Sequence, residues 1–104
     1  MTVEVLYFDG CPNHEALVPH LEELLRVAQL PARIALRRIA DDEAARRDRF
    51  LGSPTVRVDG RDVEPGAEER GDFGLKCRLY RVPSGLRGVP LDEWVLEALA
   101  RTRA

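Results

Sequence analysis

The chain is short of the residues from which several classes of protein are built. Of its 104 residues only two are cysteine, Cys11 and Cys77. That excludes a disulfide framework, a four-thiolate zinc site and an iron–sulfur cluster. Charges of the two signs nearly cancel, leaving a net −2, so no strong field is available to hold nucleic acid or an anionic membrane. Aromatic residues are sparse, and none interleaves the pairs Arg37-Arg38 and Arg46-Arg47, which read as solvated faces. No stretch approaches the about 20 apolar residues of a membrane span. The opening MTVEVLYFDG lacks the basic start and apolar run of a signal peptide. The expectation is a cytoplasmic chain with reduced thiols that engages neither nucleic acid nor membrane. Its length and 44% hydrophobic content are one domain's worth of core, residues 1–104.

Residues Val3 to Phe8 are apolar, β-branched and aromatic, as in a strand buried on both faces, and Asp9-Gly10 ends the run. Leu17, Leu21, Leu24, Leu25 and Ala28 fall on one stripe at helical spacing and predict a helix over 12–29. Pro12 suits the first position of that helix, while Pro19 predicts a kink in its interior. Alternation over 33–39 predicts a second strand, and Asp41, Asp42 and Glu43 open a short helix through Arg49. Thr55 to Val58 reads as a third strand, followed by the turn signal Asp59-Gly60. Residues 61–75 read as a long polar loop, Cys77 to Val82 as a fourth strand, and Pro90 as the start of a last helix carrying Trp94, Val95 and Leu99. The order is β-α-β-α-β-β-α. Helical links favour parallel pairing among the first three strands, and the last two are expected to be antiparallel. The fold class is α/β, a four-stranded mixed sheet with helices on both faces.

Chemistry concentrates at Cys11, which follows a buried strand and precedes Pro12 at a helix start. Helix N–H groups and the positive end of the helix dipole favour a thiolate there. His14, in the first turn, is placed to tune that thiolate or take its proton. The bland alternative is a small buried residue at a strand–helix junction with a solvated His14. Pro54, in Ser53-Pro54-Thr55, fits either an ordinary strand start or a cis bond in a tight turn. Cys77 reads first as a buried strand thiol. To act with Cys11 it needs the 61–75 loop to fold back over the site. Asp9 reads as a turn residue, and His14 and His20 are poorly spaced for two ligands on one helix face, so no metal site is expected.

Taken together, strand, Cys11-Pro12, helix with Pro19, and Pro54-Thr55 before the third strand resemble the thioredoxin-like superfamily over nearly the whole chain. Within it, Phe8-Asp9-Gly10-Cys11-Pro12-Asn13-His14 is similar to a group of small single-domain (seleno)proteins. The resemblance implies a thioredoxin fold, a cis-proline at Pro54 packed against an active Cys11, and partner contacts from Pro12, Asn13, Ser53 and Thr55. His14 stands where thioredoxins carry their second cysteine, so the local disulfide of Cys-x-x-Cys is not available.

The resemblance therefore implies a monothiol, glutaredoxin-like thiol–disulfide oxidoreductase. Cys11 would be the nucleophile, His14 and Pro54 its catalytic neighbours, and the partner a thiol or disulfide of a protein or small molecule. No bound cofactor is implied, and a small thiol such as glutathione is the co-substrate. Two alternatives stay open. One is a non-catalytic module binding a partner protein or a soft metal such as mercury, and the other is a Cys11–Cys77 redox switch. The distance between the two cysteines separates these readings.

Overall fold

In a computed structural model, which describes residues 1–103, Thr2–Tyr7 forms β1. Its alternating side chains are buried on both sides of a sheet. Val3 and Val5 pack with Leu17, Leu21 and Leu25 of α1 (Asn13–Val27) and with Val95 and Leu99 of α3 (Asp92–Arg103). Leu6 points the other way, into a second cluster with Ile39, Ala44, Ala45 and Phe50. Helices therefore cover both faces, as the double-sided burial of β1 requires. Pro19 lies within α1 on its exposed side, and Pro12 is the capping residue just outside the helix rather than its first residue.

β2 (Arg33–Arg38) runs parallel to β1, with Thr2 opposite Arg33 and Tyr7 opposite Arg38. α2 (Asp42–Arg47) is capped by the Asp41 carboxylate, which accepts from the Ala44 N–H at 2.8 Å. β3 (Thr55–Val58) is antiparallel to β1, with Leu6 opposite Thr55 and Val3 opposite Val58. This corrects the expectation of three parallel strands. Six helical residues advance the chain only about 9 Å, whereas a six-residue strand is about 20 Å long. α2 therefore leaves the chain at the end of the sheet where β1 and β2 finish, and β3 must run back. The consequence is functional. Pro54, at the start of β3, comes to lie beside Cys11, just past the end of β1.

The fourth strand is also corrected. Asp59 and Gly60 both have positive φ, 47° and 87°, and form a two-residue turn that sends the chain straight back. β4 is therefore Arg61–Asp62, paired with β3, and the sheet order is β2-β1-β3-β4. Tyr80–Val82 (β5) instead forms a separate hairpin with Gly85–Arg87 (β6). Residues 63–79 make a strap with a 3₁₀ turn at Ala67–Glu69; it leaves β3 through the Val63 N–H bond to the Val56 carbonyl at 3.1 Å and returns in a parallel bridge between Ser53 and Cys77. Among the described residues no helix is long and apolar enough to cross a membrane.

Candidate functional site

Three separate pieces of chain converge at the finishing end of β1. The first is the turn that delivers Cys11. The Cys11 N–H donates to the Phe8 carbonyl at 3.3 Å, and Gly10 lets the Phe8 ring fold against it, since a Cβ there would stand 2.5 Å from the ring. Cys11 itself is fully buried.

The second piece is Gly52 to Thr55. The Ser53–Pro54 bond is cis, and Ser53 and Thr55 have no exposed surface. Thr55 Oγ1 donates to the Gly52 carbonyl at 2.6 Å, and the Tyr80 hydroxyl donates to the Pro54 carbonyl. Burial pushes the Tyr80 hydroxyl well above the ordinary tyrosine range, so Tyr80 serves as a neutral donor. The Cys11 thiol donates to the Ser53 carbonyl at 3.5 Å, which places the sulfur on this turn.

The third piece is the strap. The Ser53 N–H donates to the Lys76 carbonyl at 2.8 Å, and the Arg78 N–H donates to the Ser53 carbonyl at 2.9 Å. Cys77, between those two residues, is exposed, yet its Sγ lies 2.6 Å from the Cys11 Sγ with Cys77 as donor. Both cysteines are free thiols. The hydrogen bond to Cys11, then desolvation and the nearby second sulfur, hold the Cys77 thiol above its ordinary pKa. The expectation of a buried strand thiol at Cys77 is thus overturned. The 61–75 region does fold back, and it brings the second thiol to the first.

The other sequence-predicted residues divide. His14 does not hydrogen-bond the Cys11 sulfur. Its ring stacks on Tyr7 at 4.1 Å between centroids, and Nδ1 lies 3.1 Å from the Cys11 carbonyl. In that pairing Nδ1 carries the hydrogen and donates, so His14 acts on the turn through the backbone. The Asp9 carboxylate accepts from Arg38 Nε at 2.8 Å rather than from either thiol. Pro12 is exposed, and Asn13 lies against Gly88, where a Cβ would come 2.7 Å from the Asn13 amide nitrogen. The expected contact between the Cys11 sulfur and the helix N–H groups is replaced by Ser53 and Cys77. Pro12, having no N–H, offers the sulfur nothing.

One residue of the site escaped sequence reasoning. Arg78 is 1% exposed and its guanidinium is wholly enclosed. Nη1 donates to Thr55 Oγ1 at 3.0 Å and to Asp62 Oδ2 at 2.7 Å, and Nη2 to Asp62 Oδ1 at 3.1 Å and to Glu64 Oε1 at 2.7 Å. It also lies 4.4 Å over the Tyr80 ring. The available signal was parity: in a strand, Arg78 shares its inward side with Tyr80 and Val82.

Among the described residues no three His, Cys, Asp or Glu side chains converge as ligands for a metal. What the arrangement can do is thiol chemistry, or hold a soft ion between two sulfurs. Comparison of the chain with protein-family models, with curated proteins and with solved structures gives no match.

Proposed function

We propose that the protein carries out thiol–disulfide exchange through the Cys11–Cys77 pair on a thioredoxin-like scaffold. The observation that carries this reading is the 2.6 Å approach of two free thiols, 66 positions apart in the chain, beside the cis Ser53–Pro54 bond. The scaffold reading is supported by the mixed sheet covered on both faces, by Pro19 within α1, and by Thr55 behind the cis-proline. It keeps Cys11 as a nucleophile but gives it a partner within the chain.

Exposure supports one order of events. Cys77 can meet an external disulfide, and fully buried Cys11 cannot. The Cys11 thiol has the Ser53 carbonyl as acceptor, and the exposed Cys77 sulfur, once it has lost its proton to solvent, is the attacking thiolate. Cys77 attacks one sulfur of the partner disulfide, that S–S bond breaks, and the first thiolate leaves and takes up a proton. Cys11, deprotonated, then attacks the Cys77 sulfur of the mixed disulfide and expels the second thiolate. The partner gains two electrons, and the Cys11–Cys77 pair becomes a disulfide. Two equivalents of a small thiol such as glutathione reverse that oxidation, which suits a reducing compartment such as the cytoplasm. His14 and Pro54 shape the turn that holds Cys11, while Pro12, Asn13 and Ser53 border it.

A second reading rests on the same two sulfurs, which can clasp a soft cation such as mercury in two-coordinate fashion. The test is reduction of a small disulfide by glutathione, comparing the wild type with Cys11→Ser and Cys77→Ser. Loss of rate in both variants is the expected result. A monothiol route through Cys11 keeps its activity in Cys77→Ser, and equal rates in the wild type and Cys11→Ser would remove the exchange reading altogether.

A further inference from the structure

We propose that Arg78 is the positioning residue that sets how strongly Cys77 is presented to Cys11, and so sets the redox poise of the pair. This inference rests on the exchange reading for its purpose but is read independently of turnover. Arg78 and Cys77 are neighbours whose side chains point to opposite sides. Cys77 is exposed with its sulfur on Cys11, and the Arg78 guanidinium is enclosed on the other side of the strap. No residue from Gly71 to Cys77 is fully buried. The backbone of that segment is tied by the Gly74 N–H to the Phe50 carbonyl at 3.1 Å, by the Leu75 N–H to the Asp42 carboxylate at 3.5 Å, and by two hydrogen bonds at Ser53. Those bonds reach α2 and the 50–53 stretch but neither β3 nor β4. Arg78 supplies the tie to both.

The planar guanidinium spends its four Nη hydrogens on three residues from two further pieces of chain. Thr55 begins β3 directly after the cis-proline. Asp62 lies on β4, and Glu64 lies two residues beyond it. The fork on Asp62 is bidentate, a geometry that an ammonium cannot reproduce. The same guanidinium stacks on Tyr80, whose hydroxyl bonds the Pro54 carbonyl. The strap, the cis-proline turn and β4 are thus joined at one side chain, one residue away from the reactive sulfur. Asp62 and Glu64 are themselves only 13% exposed, so loss of the cation leaves two half-desolvated carboxylates to repel each other.

The balanced reaction that reports this is Cys11-SH plus Cys77-SH plus oxidised glutathione, giving the intramolecular disulfide plus two reduced glutathione. Its equilibrium constant measures the effective concentration of one thiol at the other. The purified protein is equilibrated in glutathione buffers of graded ratio, quenched in acid, alkylated and weighed by mass spectrometry. Arg78→Lys keeps the charge but loses the fork, Asp62→Asn removes the bidentate partner, and Glu64→Gln removes the second anion. Each variant is expected to shift the constant at least threefold toward the dithiol. A control, Val95→Ala in α3, lowers the melting temperature of the dithiol form without that shift. If Arg78→Lys does not fold, the two carboxylate variants decide. Folded variants within threefold of the wild type, or shifted toward the disulfide, overturn the inference, as does a wild type that forms no disulfide at any ratio. A shifted constant in a protein that turns over no disulfide substrate leaves Arg78 in its role and removes the exchange reading alone.

Discussion

Gly52 and Lys76 approach so closely that a Cβ on Gly52 would stand 2.9 Å from the Lys76 carbonyl oxygen. The same Cβ would meet the Arg78 Cβ at 3.0 Å, and Gly52 has φ of +121°, a conformation costly to any residue with a side chain. Two backbones thus need this glycine, the one entering the cis-proline turn and the strap that carries Cys77. Gly52→Ala is expected to cost on the order of 1–3 kcal/mol of stability, from backbone strain together with the displaced strap. Urea denaturation of the reduced protein checks it. The more telling readout is disulfide formation between Cys11 and Cys77, which should weaken in any fraction that stays folded. A variant as stable as the wild type would mean that the strap does not pack on Gly52.

The hydrogen bond from Cys77 to Cys11 fixes the sign of a pH effect. Because Cys77 is raised in the folded state, its proton favours the fold. That contribution is fully present below the pKa of an unfolded thiol, about 8.5, and is lost as pH rises through the higher folded value. Denaturant midpoints measured under reducing conditions should therefore decline from about pH 8.5 upward. Cys11→Ala removes the largest cause and should flatten that decline. In the same variant the alkylation profile of Cys77 should move to lower pH. An unmoved profile would show that burial alone, rather than the neighbouring sulfur, holds the Cys77 proton.

What could be read in the sequence, and what could not, follows from the range of the interactions. β1, β3 and the stripe of α1 were legible because their burial repeats locally, at periods of two and 3.6. Cys11 was legible as a site because its position between a buried strand and a helix is also local. The direction of β3 was not, since it depends on how far the short α2 carries the chain. β4 was missed although its signal was present: Asp59-Gly60 dictates an immediate return, and two residues of strand are too few to show alternation. Cys77 to Val82 reads as a strand, but Cys-Arg-Leu-Tyr-Arg-Val puts apolar and charged residues on both sides, so it does not say which side is covered. That choice is made by Arg78, whose partners Thr55, Asp62 and Glu64 lie 14 to 23 residues away in sequence.

His14 offers a test of action through the backbone. Its Nδ1–H bond to the Cys11 carbonyl holds the turn that presents the sulfur. A neutral hydrogen bond of this kind is worth about 0.5–1.5 kcal/mol, so His14→Ala should slow exchange by roughly threefold to tenfold. An asparagine side chain can put an amide N–H close to the place of Nδ1 but cannot titrate near neutral pH. His14→Asn should therefore recover most of the rate. If asparagine is as slow as alanine, the imidazole is acting as an acid or base, and its role is chemical rather than positional.

Tyr80→Phe isolates the support beneath the cis-proline. The ring and its stacking under Arg78 are kept, and only the hydroxyl that bonds the Pro54 carbonyl is lost. Removing one partner of a buried pair leaves the other unsatisfied, which costs about 1–3 kcal/mol. Urea denaturation of the reduced protein should show a loss of that size. Because Tyr80 is a neutral donor whose ionisation burial pushes far above neutrality, the loss should be the same at pH 6 and pH 9. The effect on chemistry should be smaller than for Arg78→Lys, since Pro54 keeps its place through Thr55 and the backbone of β3. A Tyr80→Phe protein with full stability but a collapsed disulfide equilibrium would instead assign the hydroxyl a direct part in aligning the two thiols.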